Sequence, residues 1–488
     1  MIGGGIQGAT IAWDATLRGL RVALIDKGDF GGETSANSLK IIHGGFRYLR
    51  SGDLRRMRES IRERSILLAI APGQLRPLPV VVPISAVGGP GRTALQAALV
   101  ANEFISAGRN RRLSEAQKIP RGRMISSSEA RNLCPALEGV DIDGGAVWYD
   151  AQAVQPERLT LAFIRSAAAQ GAVVANRVIA TDLMSYHGRT HGVIARDEMT
   201  GESLEIAARV TLNATGPWSG EFLRPKRGGG PRTARLALAV NLVTSFPPMQ
   251  AALAVRSPTP ASGDPVGGGH RYLFLAPWRA STLIGTAYRQ LEPGAEPSVA
   301  ESDLMGLLTE ANAASRGLRL TAEDVTFHHA GRVPLRAGRE AGRPMALAER
   351  ALLTDHGLVD GRAGLVSVNG VKFTTARSVA SAAVDLVFNS MGITPPSCRT
   401  ADTALMDEPA DPAETLASTA LRAIRSEMAH TCADVIFRRS GLGTERAPLP
   451  LELSELATTM GEELGWSEAR RAREVLEVEQ RYLHAARS

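Results

Sequence analysis

The residues able to do chemistry sit in a few short segments, and the first of them opens the chain. Gly3-Gly4-Gly5-Ile6-Gln7-Gly8 is a G-x-G-x-x-G run. A helical pattern from Ala9 to Arg18 follows, then a Gly19 stop and the apolar strand Arg21-Val22-Ala23-Leu24-Ile25, which ends on Asp26. In such a unit Gly3 permits a tight turn, Gly5 lets the backbone approach a pyrophosphate, and Gly8 allows close packing of helix on strand. The helix N-terminus offers N–H groups and the positive end of a dipole to the phosphates, while Asp26 accepts hydrogen bonds from ribose hydroxyls. An acid at that point favours a free 2′-hydroxyl, as in FAD or NAD, over a 2′-phosphate.

The strand that should lead into Gly3 is represented by Met1 and Ile2 alone. Such strands commonly end Val-Ile-Gly-Gly-Gly, and a GUG valine codon read as a start codon gives this N-terminus. The expectation is a misplaced start. Upstream codons should then raise thermal stability and cofactor occupancy, because a central parallel strand is buried on both faces.

Three further segments are long and specific. The first runs Thr34-Ser35-Ala36-Asn37-Ser38-Leu39-Lys40-Ile41-Ile42-His43-Gly44-Gly45-Phe46-Arg47-Tyr48-Leu49. The second, Asn213-Ala214-Thr215-Gly216-Pro217-Trp218, follows the strand Val210-Thr211-Leu212, and the third is Asn369-Gly370-Val371-Lys372-Phe373-Thr374-Thr375. Together they resemble the aerobic, FAD-dependent glycerol-3-phosphate dehydrogenases of the D-amino-acid-oxidase-like flavoprotein superfamily. Towards the C-terminus, Glu427 to Gly443 and Met460-Gly461-Glu462-Glu463-Leu464-Gly465-Trp466 are similar to that family's helical cap.

The resemblance implies an α/β fold with three parts. A discontinuous, Rossmann-like FAD-binding domain takes residues 1–80, 140–220 and 350–400. A substrate domain with an antiparallel sheet takes 225–345, its strands showing at Tyr272–Leu275 and Thr282–Gly285, with a loop from Ser257 to Gly269. A C-terminal helical domain takes 405–488. FAD is then the cofactor, and its contacts fall on Gly3, Gly5, Gly8, Asp26, Thr34, Ser35, Ser38, Ile42, Gly44, Gly216, Gly370, Lys372 and Thr374. A helix starting near Thr374 aims its positive end at the flavin N1/O2 locus, where negative charge collects on reduction.

Oxidising a secondary alcohol by a flavin requires hydride delivery to N5 and removal of the hydroxyl proton, and a phosphate ester also needs cations. The resemblance assigns these tasks to Arg47, Tyr48, Lys372, Arg350 and Arg332. Three positions depart from the family pattern. Asn241 replaces a histidine commonly assigned to the substrate's proton, and an amide cannot act as a base. In Ala330-Gly331-Arg332-Val333-Pro334 the guanidinium is displaced by one position, which on a strand turns it to the opposite face. In Gly285-Thr286-Ala287-Tyr288, Tyr288 stands where the family has an acid. Replacement bases are His43, His328 and His329.

The whole chain bounds these readings. Its 488 residues exceed one ordinary core. The 44% hydrophobic and 22% charged content belongs to a globular protein, and no apolar run reaches the length of a spanning helix. Cys134, Cys398 and Cys432 have neither metal-like spacing nor an even count, so a reducing cytosol is expected and no metal site. The net charge of +6 is spread along the chain, which points away from nucleic acid and allows peripheral contact with the inner face of the cell membrane. The densest basic run, Arg50 to Arg64, reads as a solvated helix face. Of the 56 Lys and Arg residues only five are lysines, as in a bacterial, GC-rich genome, and two of them, Lys40 and Lys372, lie in the segments above.

Three functions remain open at this level. One is oxidation of sn-glycerol 3-phosphate, a phosphorylated polyol, with electrons passed to quinone or another acceptor. The second is oxidation of a different hydroxy or amino compound on the same fold. The third is FAD binding without turnover. No segment sets an oligomeric state.

Overall fold

The computed structural model describes residues 1–46, 48–84, 91–223, 235–257, 271–292, 298–336, 346–406 and 414–486. A parallel layer lies at its centre. The strand Ala23–Ile25 pairs with Val173–Ala175, and Thr211–Asn213 pairs with Leu365–Asn369, both in parallel. Ile2 joins the two pairs through parallel bridges to Ile25 and Asn213, so the stub before the glycines occupies the middle of the layer. Leu24, Ile25, Leu212 and Val366 are buried, as strands covered on both faces must be.

One face of the layer carries helices. Ile6–Leu17 packs on Ala376–Ser390 through Ile11, Ala15, Ala380 and Val384, over Val368 of the strand beneath. It also packs on Pro156–Ala169, where Trp13 and Phe163 meet edge to face at 5.5 Å. The other face is covered by the antiparallel strands Val178–Tyr186, Arg189–Asp197 and Ser203–Ala207. The first helix and strand therefore form where the sequence places them, shifted by a few residues.

A ten-stranded sheet stands beside this layer. The strands Val325–Arg336, Leu236–Thr244, Ser281–Gln290, Tyr272–Trp278 and Ala252–Arg256 follow one another in antiparallel order. The sheet continues into Leu75–Pro83, Gly145–Ala153 and Ile41–Ile42, from ranges that the sequence assigns to the cofactor domain. Alternation along Leu236–Thr244 is clean. Leu238, Val240 and Leu242 enter a core closed by Leu304, Leu307 and Leu308 of the helix Glu301–Ala314, while Ala239 and Asn241 face the opposite way, into a cavity. Apart from Ser257, the loop expected at Ser257–Gly269 lies outside the described residues.

The C-terminal helices Leu416–Glu427, Pro450–Leu464 and Glu468–Ala486 enclose their own core of Ala423, Ile436, Leu456, Met460 and Val478. A π-helical turn, Val435–Arg439, brings both Arg438 and Arg439 onto Asp29, with Arg439 Nη2 donating at 2.8 Å. Burial alone would raise the Asp29 carboxyl, but the two guanidinium groups hold it far below its usual range. This buried pairing fastens the helices to the segment just after Asp26. One expectation fails nearby. Glu63 and Arg64, read from sequence as part of a solvated face, are buried and paired, Glu63 with Arg377 and Arg64 with Asp150. Helical amphipathicity could not distinguish a charge facing water from one facing a buried partner.

Candidate active site

The first glycines build a cradle. Gly3 has φ +100°, and a Cβ there would lie 2.6 Å from the Ala214 carbonyl oxygen. A Cβ on Gly8 would come within 1.8 Å of the Gly3 oxygen, so only glycine lets the helix start this close to the strand end. Gly5 caps the helix Ile6–Leu17, and Ser35 Oγ accepts the Ile6 N–H at 2.9 Å. Asp26 accepts from the Gly4 N–H at 2.6 Å and from Gly28 at 2.8 Å.

From this cradle a cavity of about 2550 Å³ extends past Gly3, Gly5, Asp26, Thr34, Ser35, Ser38 and Ile42 to Gly216, Gly370, Lys372 and Thr374. Ordinary small-molecule pockets occupy roughly 300–1,000 Å³, so there is room for an extended dinucleotide and a substrate. Gln7 lines it with a buried Oε1 that has no hydrogen-bond partner among the described residues. The helix Ala376–Ser390, capped at Thr375, begins next to Thr374, as the sequence implied. The glycine cradle, the acid and the unpartnered acceptor fit FAD. Of the expected contacts, Gly8 and Gly44 do not line the cavity. Gly8 packs on Gly3, and the Gly44 N–H donates to Asp150 Oδ1 at 2.6 Å.

Burial raises the Asp26 carboxyl to about 6, although the Gly28 and Gly4 N–H groups oppose it. Ribose hydroxyls bind best to the ionised acid, so FAD affinity should fall as pH drops through about 6, approaching tenfold per pH unit below it. In the FAD-free chain the sign reverses: the raised carboxyl favours the fold below about pH 4, and that contribution is lost as pH rises through about 6. Flavin-fluorescence titrations at pH 7 and pH 5 measure the first effect. An Asp26→Asn chain with the same pH dependence as the parent would refute it.

At the far end two groups of side chains converge. His43 Nδ1 lies 3.2 Å from Asp150 Oδ2, and its ring packs edge-on against Phe274. Asp150 is buried and also accepts from Arg64 Nη1 at 2.9 Å. Burial pushes its carboxyl up, but His43 and Arg64 outweigh this and leave it below its usual value. Any Cβ on Gly44 would reach Arg64 Nη1 at 2.2 Å, so the glycine is what lets the guanidinium approach. His43 is half exposed on the cavity side, with Nδ1 turned to the acid and Nε2 left for a ligand.

The second group is Lys372 and Tyr48. The Lys372 ammonium donates to the Tyr48 hydroxyl and lies 4.4 Å from the ring centroid. Lys372 also borders a smaller cavity of about 380 Å³ shared with Arg55, Arg56, Glu349 and Arg350. Arg350 is exposed there. Arg47 lies outside the described residues.

Arg332 lines the larger cavity, beside Trp218. Its Cζ stands 4.1 Å from the centroid of Trp218, over which Lys27 Nζ lies at 3.6 Å, so it is held beside the neighbour of Asp26. It pairs with Leu238, of opposite parity to Asn241, yet it lines the same cavity, so the one-residue displacement does not carry it to the opposite face as the sequence led one to expect. Two of the three candidate bases are withdrawn. His328 and His329 do not line the cavity, and burial lowers the pKa of both. His329 instead lies 3.3 Å from Asn37 Oδ1. Asp150 and Arg64 were missed from sequence, since neither sits in a chemical motif. Lys40, the other motif lysine, is buried against Glu157 Oε1 at 3.0 Å.

Comparison with known proteins gives the same picture. Residues 1–386 match the model of the FAD dependent oxidoreductase family, and residues 397–471 match the C-terminal domain of alpha-glycerophosphate oxidase. A glycerol-3-phosphate dehydrogenase of Synechocystis sp. is 31% identical over 414 residues, 82% of this chain and 71% of the relative. Glycerol-3-phosphate dehydrogenase 1 of Mycobacterium tuberculosis is 32% identical over 425 residues, 84% of this chain and 77% of its own. Among solved structures, the glycerol-3-phosphate dehydrogenase of Bacillus halodurans complexed with FAD superposes with a TM-score of 0.72 at 24% identity. That match covers 98% of this chain and 93% of the other, and it speaks to the fold.

Proposed function

This chain belongs to the FAD-dependent oxidoreductase family, and from that premise we propose that it oxidises sn-glycerol 3-phosphate to dihydroxyacetone phosphate. FAD, when bound, supplies the acceptor for the hydride that leaves the carbinol carbon. What supports the reading is that a histidine oriented by a buried acid and a lysine–tyrosine pair open on one cavity. His43 Nε2 takes the hydroxyl proton, with Asp150 holding the ring through Nδ1 and stabilising the cation that results. Lys372 and Tyr48, with Arg47, hold the phosphate, and Arg350 adds positive charge at the neighbouring cavity.

The electrons then pass to a quinone or another acceptor. The cavity runs on past Phe46 and Trp148 to Ala94, Ala97 and Ala101 of the helix Arg92–Ile105, whose outer side exposes Val100 and Phe104. Such an apolar route suits an acceptor delivered from a membrane surface. Among the described residues no helix is long and apolar enough to cross a membrane, so the contact proposed is peripheral, at the inner face.

Anaerobic mixing of the FAD-loaded protein with polyols, their phosphates, hydroxy acids and amino acids tests the substrate. sn-Glycerol 3-phosphate should bleach the flavin at least about a hundredfold more efficiently than glycerol, because a desolvated, charge-assisted anion site contributes roughly 1.5–3 kcal/mol per contact. Bleaching by an unphosphorylated hydroxy or amino compound, with no response to the phosphate ester, would favour the second reading. That reading draws its support from Asn241 and Arg332.

A further inference from the structure

The strand Leu236–Thr244 carries one polar side chain on its cavity face where alternation calls for an apolar one. Asn241 is 1% exposed and lines the cavity beside Ala239, Phe274 and Tyr288. Its neighbouring strand breaks register at this point. Val240 pairs with Ala287 and Asn241 with Gly285, leaving Thr286 as a bulged residue. The bulge turns the Thr286 hydroxyl onto Asn241, and Oγ1 donates to Oδ1 at 2.7 Å. Gly285 is needed for this arrangement, since a Cβ there would stand 2.0 Å from Asn241 Oδ1. With Oδ1 held, Nδ2 has no partner among the described residues. It opens on the cavity, where a ligand oxygen can accept from it.

We infer that Asn241 is a specificity-determining residue whose Nδ2 donates to the oxygen of the carbon being oxidised, selecting hydroxy over amino compounds. This rests on the reading of the cavity as the place where an alcohol is oxidised. A hydroxyl oxygen has two lone pairs, so it can accept from Asn241 while its proton leaves to His43, and the product carbonyl keeps both lone pairs for the same donor. An ammonium group has no lone pair, and a neutral amine has a single one, which hydride loss to an iminium consumes. The amide can therefore hold the substrate oxygen and the ketone alike but can remove nothing. Recognition of the oxygen and removal of its proton lie on different elements.

Two variants test this in the FAD-loaded protein, with sn-glycerol 3-phosphate as substrate and dihydroxyacetone phosphate as competing ligand. Asn241→Asp keeps the shape and presents only acceptors when ionised, while Asn241→Leu presents nothing. Both should lose about ten- to a hundredfold in kcat/KM and weaken competition by the ketone. For Asn241→Leu the FAD absorbance, the melting temperature and the form of the pH–rate profile should stay those of the parent, which a merely structural role would not predict. If Asn241→Asp keeps its activity while Asn241→Leu loses it, the side chain accepts and the inference is overturned. If both keep it, the side chain is idle and the inference is overturned again. The two levels fail differently. A parent protein bleached by glycerol phosphate but indifferent to both substitutions refutes the donor alone. A parent bleached by amino compounds and by no hydroxy compound refutes the donor and the proposed function together.

Discussion

Replacing His43 with glutamine should slow flavin reduction by the substrate about a hundred- to ten-thousandfold, the usual contribution of a positioned general base. Of the three histidines that could replace the base absent at Asn241, His43 alone lines the cavity. Its Nδ1 is committed to Asp150 at 3.2 Å, and Asp150 stays ionised because His43 and Arg64 outweigh the effect of burial. That arrangement fixes the tautomer and leaves Nε2 to receive a proton. Glutamine preserves bulk and hydrogen bonding but cannot take a proton. Asp150→Asn is a poorer probe. It leaves the buried Arg64 without its charge partner, and breaking a buried pair typically costs about 3–5 kcal/mol in stability. The measurement is rapid mixing without oxygen on FAD-saturated protein, with flavin content checked for each sample. A His43→Gln protein reduced within threefold of the parent rate would remove His43 from the mechanism.

The second large effect is expected at Lys372. Lys372→Met removes a cation that donates to Tyr48 and borders both cavities, and should lower kcat/KM for the phosphate ester about ten- to a hundredfold. FAD content should change little, because the glycine cradle and Asp26 hold the dinucleotide at the other end of the cavity. The comparison that decides is between substrates. Selective loss on phosphorylated over plain polyols supports an anion site. Equal loss on both assigns Lys372 to the flavin or the reacting carbon. Loss of the flavin itself makes the residue structural, and the phosphate-ester reading falls with it.

Much of the cofactor end was legible in the sequence because its physics is local. Gly3, Gly5 and Gly8 are legible as a turn, an approach to a pyrophosphate and a close helix contact because their spacing and the helix and strand that follow fall in one short segment, although the space beside Gly3 is set by the distant Ala214. Asp26 is legible for the same reason, at the end of the strand that follows. The family resemblance extended this to the segments around His43, Gly216 and Lys372.

The substrate end depended on pairings that no local rule contains. Asp150 is 107 residues from His43, and it becomes the partner only when Gly145–Ala153 pairs with Ile41–Ile42. Arg64 looked like a surface charge until the same packing buried it against Asp150. Among His43, His328 and His329, position in the sheet decided which one meets the cavity. The orientation of Asn241 was set by a bulge in a strand 45 residues away. Contiguous residues determined the backbone shapes that hold a dinucleotide. Which side chains face one another across the cavity was decided by sheet register and helix packing, since these bring together residues that are distant along the chain and give each its charge partner and its burial.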